Sequence, residues 1–210
     1  MKAITNVKIL PVVGEPIEKG YVLFDEKIRE IGEGSPEGEF EEIDGEGKVL
    51  IPGLIDPHTH ISTFQGRSTL PDVKEGNEYS SPITPYVRGI DALNPDDIAI
   101  ARTRKAGFTT VYTGPGSANV IGGVGCSIKL RGKTADDMVI SGSEMMKMAL
   151  GENPKRFFGL EKKLPVTRMG VAALLRKTLY EAKAYSDELL DYENGDANRP
   201  TPDFEKEALV

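Results

Sequence analysis

The sequence predicts an α/β protein in which a small antiparallel sheet precedes a βαβ unit. Residues 1–49 contain short apolar runs of alternating pattern, separated by Gly, Asp and Pro, which is typical of strands and turns. After Pro52 and Gly53 the pattern changes, and residues 54–113 read as a strand, a long loop, a helix and a β-branched strand. We therefore divide the chain between these parts and expect a right-handed crossover with parallel strand pairing.

The helix of the βαβ unit carries recognisable end signals. Asn94 is a good N-cap, Pro95 suits the first helical position, and Gly107 suits the end of the helix. The stretch FTTVYTG that follows is rich in β-branched residues and is predicted as the second strand.

The remaining chain predicts further strands and one long helix. We place strands at 126–132, 136–142 and 146–153. Between Gly170 and Asp191 the apolar residues recur at helical spacing, so we expect a long amphipathic helix with this stripe toward the core.

Composition limits the classes of function. The net charge of −7 argues against a surface for nucleic acid or anionic lipid, because both favour a basic face. The single cysteine, Cys126, allows no disulfide within the chain, and no apolar run reaches membrane-spanning length. We expect a soluble cytoplasmic protein whose cysteine is a small buried thiol.

Both histidines of the chain lie in one short stretch, LIPGLIDPHTHI. In a strand, residues i and i+2 project from the same face, so Asp56, His58 and His60 are predicted to form one row. Two neutral imidazoles suit a divalent metal such as Zn²⁺. Two histidines on a solvent-facing strand would explain the spacing equally well, so spacing alone leaves metal binding open.

The segments on either side of the histidines are more specific. KVLIPGLIDPHTHI, followed by GFTTVYTGPGSANVIGG, resembles the amidohydrolase superfamily, closest to its imidazolonepropionase-like and deaminase-like branches. The resemblance implies the N-terminal part of a small β-sandwich at 1–52 and the first half of a (β/α)₈ TIM-type barrel at 53–210. It matches His58 and His60 to two metal ligands, and Asp56 to an acidic residue that supports the ligands or the fold.

The resemblance also implies further metal ligands. Glu152, in MKMALGENPKRF, resembles a glutamate that binds metal at the end of the third barrel strand in some relatives. Other relatives bridge two metals with a carbamylated lysine, for which Lys129, Lys147 and Lys155 are equal candidates. The later ligands of the family, two histidines and a catalytic aspartate, have no match because the chain has no third histidine, so we expect them beyond Val210.

Four residues are candidates for contact with a substrate. Thr113, Ser117 and Asn119 follow the second predicted strand, where turn formation is the alternative role. Arg168 begins the long helix, where the resemblance implies contact with an anion and a surface salt bridge is the alternative.

The resemblance implies a metal-dependent hydrolase that cleaves C–N bonds in cyclic amides or related small molecules, with zinc as the favoured cofactor. A complete barrel needs about 250 residues, so the chain reads as truncated at its C-terminal end and is expected to be inactive alone. A longer protein or a complementary chain would supply the missing C-terminal half.

Two other classes of function stay open. The chain could be a non-catalytic half-barrel scaffold or subunit that a partner chain completes, or a simple βα domain that binds a metal or ligand. Because an incomplete barrel exposes strand edges, we also expect a homo-oligomer.

Overall fold

The structure is a computed structural model that describes residues 1–64 and 75–210. Its contacts divide the chain into two compact units, Met1–Gly53 and Leu54–Val210. Both strands and helices are present, so the α/β class is confirmed. The assignments as a sandwich portion and as half of a barrel stay predictions.

The first unit is a five-stranded sheet. Strands β1 to β3 are antiparallel neighbours, whereas β4 and β5 both pair with β1 in the parallel sense. The expectation of an antiparallel sheet is therefore wrong for the last two strands, because the connection after β3 carries the chain across to the far side of β1. The strands are β1 (Lys2–Ile9), β2 (Ile17–Phe24), β3 (Ile28–Glu33), β4 (Glu41–Asp44) and β5 (Val49–Leu50).

Strand β1 shows why this part of the sequence forms a sheet. Its residues alternate between buried and more exposed positions, and Ala3, Val7 and Ile9 are buried. Burying every second side chain is the pattern of a strand between neighbours. At the sheet's margin Ile28 and Ile31 stay exposed and line an apolar groove.

The second unit contains a four-stranded sheet in the order β6-β7-β8-β9. Strands β6 and β7 are parallel, and α1 lies between them in sequence, so the predicted βαβ unit is present. Its strands are β6 (Leu54–Asp56), β7 (Phe108–Thr113), β8 (Ile121–Lys129) and β9 (Met145–Met148), and its helices are α1 (Ile98–Lys105), α2 (Ala135–Met138), α3 (Glu152–Leu160), α4 (Arg168–Glu193) and α5 (Phe204–Glu207), with a 3₁₀ turn at Gly89–Ala92.

Strand β8 departs from the repeating pattern of a (β/α)₈ barrel. It runs antiparallel to both β7 and β9. Only the short segment 114–120 joins β7 to β8, and a parallel crossover needs a dozen or more residues. The short connection therefore dictates the reversed direction.

Helix α1 begins later than its sequence signals suggest. Asp97 is the N-cap, and its side chain accepts a hydrogen bond from the Ala99 N–H at 2.9 Å. Asn94 makes a preceding turn instead, accepting from the Asp96 N–H at 3.0 Å. Gly107, with φ of +98°, ends the helix as predicted, because glycine adopts this left-handed conformation without steric cost.

The strand predicted at 136–142 is wrong. Thr134 and Asp137 form a capping box, in which each side chain accepts a hydrogen bond from the other residue's backbone N–H, and the short helix α2 follows. These local hydrogen bonds favour the helical turn over an extended chain. The region 146–153 is also divided, since β9 ends at Met148 and α3 begins at Glu152.

The long helix predicted at 170–191 is present as α4. Thr167 caps it by accepting from the Gly170 N–H at 3.1 Å. Val171 is buried against Ile83 and Ile121, and Ala182 and Tyr185 are buried further along the helix. Most of the apolar stripe therefore faces the core as expected, whereas Leu179 is 43% exposed. Among residues 1–64 and 75–210, no helix has both the length and the apolar character needed to cross a membrane.

The main core of the second unit lies around β7 and β8. It contains seven buried residues: Leu93, Ile100, Val111, Cys126, Ile128, Leu130 and Met138. Burial also raises the pKa of the Cys126 thiol, which keeps it in the neutral form that an apolar core favours.

Replacing Ile128 by Ala tests this core. The side chain is fully buried, so we expect the variant to lose about 2–5 kcal/mol of unfolding free energy through lost burial and an unfilled cavity. Urea denaturation measures the loss. Met169→Ala on α4 is the control, because Met169 is 78% exposed and its truncation should change stability by less than about 0.5 kcal/mol. Equal effects of the two substitutions would contradict this description of the core.

Candidate active site

The two histidines lie just beyond the end of β6 and not within it. The strand ends at Asp56, and the Asp56 side chain accepts a hydrogen bond from the His58 N–H at 3.1 Å. The predicted row of three side chains on one strand face is therefore wrong. The two imidazole rings still meet, with centroids 5.4 Å apart and planes at 85°.

The segment 59–63, which we call the histidine loop, is attached first to the end of β7. Both the N–H and the hydroxyl of Thr59 donate to the Tyr112 carbonyl, at 3.0 and 2.6 Å. The Thr113 hydroxyl donates to the Ile61 carbonyl at 2.6 Å. These bonds tie alternate residues of the loop to consecutive residues of one strand.

A second attachment joins the histidine loop to the segment before α1. The Ser62 hydroxyl donates to the Asn94 carbonyl at 2.9 Å and accepts from the Asn94 N–H at 2.6 Å. Ser62 is fully buried and has a left-handed φ of 70°, which is uncommon for a residue other than glycine. The paired bonds offset the cost of this conformation, which turns the chain immediately after the histidines.

The environment of His60 determines which ring nitrogen carries the proton. Nδ1 lies 2.9 Å from the Gly114 carbonyl oxygen. Since a carbonyl only accepts hydrogen bonds, Nδ1 must be the protonated nitrogen, and the neutral ring keeps a lone pair on Nε2. This is the arrangement in which metal-binding histidines are commonly held, with the other ring nitrogen donating to a carbonyl.

His58 is exposed and has a different neighbour. Its Nε2 lies 3.4 Å from the ammonium nitrogen of Lys147 on β9. An ammonium group can only donate, so His58 Nε2 is the acceptor and also has a lone pair. Both rings therefore present Nε2 as a base or ligand.

The three lysines that the sequence could not separate have different partners. Lys155 donates to Glu152 at 2.6 Å, and Lys129 donates to the Thr110 hydroxyl at 2.9 Å. Lys147 is the one beside a histidine.

Glu152 occupies the first position of α3 and is exposed. The hydrogen bond from Lys155 lowers the pKa of the Glu152 carboxyl, and the positive charges of Lys155 and Arg156 add to the effect. Within 1–64 and 75–210, no three His, Cys, Asp or Glu side chains are grouped closely enough to hold a metal ion. The role predicted for Glu152 as a third ligand therefore stays a prediction without support from the geometry.

The residues present fit part of a metal site. Two neutral imidazoles with a lone pair on Nε2 suit Zn²⁺, which usually takes four ligands in a structural site and three protein ligands in a catalytic one. At His58 a metal ion would take the place of the hydrogen bond from Lys147. His58 and His60 supply two of these ligands. Among the described residues, Lys147 in a modified form is the further group that lies beside this pair.

A cavity of about 520 Å³ adjoins His60. Helix α3 forms one wall, and the segments that follow β6 and β7 form the others. The lining residues are His60, Phe64, Asn77, Gly116, Ser117, Ala118, Asn153, Arg156, Phe157 and Leu160.

Helix α3 presents one face to this cavity. Asn153, Arg156, Phe157 and Leu160 are spaced i, i+3, i+4 and i+7, which is the spacing of a single helix face. This spacing is present in GENPKRFFGL, but GEN also follows directly on the apolar run before it, so the prediction of a strand to residue 153 is wrong and α3 begins at Glu152.

Two glycines allow the loops around the cavity to pack closely. A Cβ at Gly76 would lie 2.0 Å from the Phe64 ring, and one at Gly116 would lie 2.6 Å from the Asn77 amide. Both distances are shorter than the 3.0 Å that contacts of a real Cβ atom essentially always exceed. Substituting either glycine would therefore displace a side chain that lines the cavity.

Of the four residues predicted to contact substrate, one lines the cavity and three do not. Ser117 lines the cavity and accepts a hydrogen bond from Asn153 at 2.6 Å. Thr113 and Asn119 are each only 1% exposed and donate to backbone carbonyls, so they hold neighbouring segments together, and contact of either with a substrate stays a prediction. Arg168 is exposed at the start of α4 and is absent from the cavity wall, where Arg156 is the arginine.

Asn119 has a specific positioning role. Its side-chain NH₂ group donates to the carbonyls of Glu78 and Ser81, at 2.5 and 2.7 Å. These bonds hold the segment that follows Asn77 against the segment 114–120, which joins β7 to β8. The Asn119 Oδ1 atom is buried and has no hydrogen-bond partner, so it is the one buried side-chain polar atom left unpaired among the described residues.

Comparison with known proteins agrees with this architecture, although no family model matches the chain. The chain is 38% identical over 153 residues to Amidohydrolase tasK of Hapsidospora irregularis, covering 66% of this chain and 15% of that protein. It is 40% identical over 116 residues to the 5-methylthioadenosine/S-adenosylhomocysteine deaminase of Syntrophomonas wolfei, covering 50% of this chain and 26% of the deaminase.

A crystal structure of an amidohydrolase from Thermotoga maritima MSB8 matches with a TM-score of 0.91 and 35% identity. The match covers 99% of this chain and 54% of the solved one, so the chain spans about half the length of that relative. The chain belongs to the amidohydrolase superfamily. The resemblance stated from its sequence is thereby confirmed.

Replacing Thr113 by Val tests how the histidine loop is held. The substitution keeps the shape but removes the hydroxyl that donates to the partly buried Ile61 carbonyl, so we expect a loss of about 1–3 kcal/mol of unfolding free energy. Chemical denaturation measures it. Thr109→Val is the matched control, because Thr109 lies on the same strand and is exposed. The assignment fails if the two variants are equally stable.

Proposed function

We propose that this chain carries the first two metal ligands of a metal-dependent hydrolase that cleaves C–N bonds in cyclic amides or related small molecules. One observation carries the proposal. The Gly114 carbonyl holds His60 with its proton on Nδ1, while His58, 5.4 Å away between ring centroids, also has Nε2 as an acceptor. The superfamily membership supports a hydrolase of C–N bonds.

The proposed chemistry divides between a cation and the chain. When bound, Zn²⁺ or a similar ion would polarise the substrate's carbonyl or amidine group and lower the pKa of water. His58 and His60 would hold the cation. The Gly114 carbonyl keeps the His60 ring in the correct tautomer, and the bonds of the histidine loop hold the backbone on both sides of His60. The Asp56 side chain accepts from the backbone N–H of His58.

Lys147 is the best-placed candidate for a further ligand. A protonated lysine beside His58 opposes a divalent cation, because the two positive charges repel. Reaction of the neutral amine with carbon dioxide would release a proton and give a carbamate, whose oxygens are anionic ligands. The position of Lys147 favours it over Lys129 and Lys155, whose ammonium groups have other partners.

The activity belongs to a protein that supplies more than these residues. The chain spans only part of each relative it matches, and the catalytic aspartate is proposed to lie beyond residue 210. The edge strand β6 supports the need for a further element, because Leu54 and Ile55 are 41% and 68% exposed. A small-molecule substrate, a cytoplasmic location and a homo-oligomer stay part of the same proposal.

Replacing either histidine by Gln should remove the metal. The protein is purified in the longest form that its gene encodes, and its zinc content is measured after dialysis. Losing one ligand should weaken zinc binding by about 100-fold or more, because even losing an outer partner of a ligand costs 10–100-fold. The rate of hydrolysis of a panel of cyclic amides, measured by the acid that is released, should fall in parallel.

Lys129→Met is the control for the histidine variants, because Lys129 lies in the same sheet and bonds to Thr110. It should keep both zinc and activity. Unchanged zinc in His58→Gln and His60→Gln would refute the metal site. If both variants lose zinc and the unsubstituted protein hydrolyses none of the cyclic amides, the result would favour the non-catalytic subunit.

A further inference from the structure

The cavity beside His60 contains one cationic side chain whose charge is not taken up by a direct ion pair. Arg156 lies in the wall formed by α3 and is exposed there. The nearest acidic group in its own helix, Glu152, bonds to Lys155 at 2.6 Å. Among residues 1–64 and 75–210 no ion pair engages the Arg156 guanidinium.

The positive charge of Arg156 acts at a distance on the Glu152 carboxyl, which is itself paired with Lys155. The described residues that share the cavity with Arg156 add no further negative charge. None of the lining residues in the described part of the chain is an aspartate or glutamate. A guanidinium in a concave, partly apolar site attracts anions, and its planar donors match carboxylate or phosphate oxygens.

Ring contacts hold the two phenylalanines of the cavity wall, Phe64 and Phe157, in position. Phe157 stacks on Tyr79, with ring centroids 4.2 Å apart and planes at 13°. Phe64 makes an edge contact with His60, with centroids 5.6 Å apart. Rigid aromatic faces of this kind suit the flat part of a small molecule.

Amide side chains complete the polar part of the lining. The Asn77 side-chain oxygen accepts a hydrogen bond from the Ala118 N–H at 3.0 Å. The NH₂ group of Asn77 is therefore the part of this side chain that can donate to a ligand. Asn153 is held by its bond to Ser117. The volume of about 520 Å³ lies within the roughly 300–1,000 Å³ of small-molecule sites.

We propose that this cavity selects substrates that carry an anionic group, which pairs with Arg156 while the C–N bond to be cleaved lies at the His60 end. The inference rests on the proposed function and adds the substrate class to it. Arg156 acts as a specificity determinant. It binds the anionic group and takes no part in the bond cleavage.

Calorimetric titration tests the proposal without requiring turnover. The probes are hydantoin, hydantoin-5-acetic acid and the methyl ester of that acid, added to the protein in the longest form that its gene encodes. The acid should bind about tenfold more tightly than its ester, as expected for a charge-assisted hydrogen bond in a partly open site. Arg156→Gln should reduce the affinity for the acid to that for the ester.

Arg176→Gln is the matched control, because Arg176 is an exposed arginine on α4 that does not line the cavity. It should keep the preference for the acid. Competition by acetate or by inorganic phosphate then distinguishes a carboxylate site from a phosphate site, since the matching anion displaces the acid at lower concentration.

The outcomes separate this inference from the proposed function. Equal binding of acid and ester, a preference that survives Arg156→Gln, or no binding of any probe would overturn the inference. Hydrolysis of neutral cyclic amides with no effect of Arg156→Gln would leave the proposed function standing alone. An acid preference that depends on Arg156, in a protein without hydrolytic activity, would leave the binding site standing and remove the hydrolase.

Discussion

The bond between the His60 ring and the Gly114 carbonyl is the interaction on which the site depends. It decides the tautomer of the ring and therefore which nitrogen keeps a lone pair. The carbonyl can do this only because β6 and β7 are parallel neighbours, so that the segments following them emerge at the same edge of the sheet. Thr59 and Thr113 add bonds in both directions across that edge.

Helix α3 forms the other side of the cavity, and the charged residues of this helix determine the charge of the cavity wall. The pair between Glu152 and Lys155 joins positions one turn apart, with the Glu152 side chain 73% exposed and the Lys155 side chain 21% exposed. Arg156 is then the cation that faces the concave surface. A surface ion pair of this kind contributes little stability, so its main effect here is on the distribution of charge.

Each unit leaves apolar side chains exposed. Strand β6, three residues long, lies at the edge of its sheet, and its Leu54 and Ile55 are exposed. In the other unit Ile28 and Ile31 remain exposed beside an apolar groove. The further element required by the proposed function would have apolar surface to pack against.

The sequence was sufficient where the signal is local. Alternating burial, the β-branched second strand and the left-handed glycine at Gly107 are properties of a few adjacent residues, and the βαβ unit could be predicted from them. The proximity of His58 and His60 was also predictable, because only one residue separates them. Their place beyond the strand was not, since the Asp56 turn depends on a single side-chain hydrogen bond.

By itself, then, the sequence determined the α/β class, the superfamily and the pair of histidines, because each is recorded in short motifs. Only the tertiary structure decided what lies around that pair. Lys147 reaches His58 across 89 positions of sequence, and Gly114 reaches His60 across 54. Arg156 replaces Arg168 as the cavity's arginine because a helix face is defined only once its neighbours are packed. Contacts between residues so far apart leave no local pattern, so no motif in the chain could have shown them.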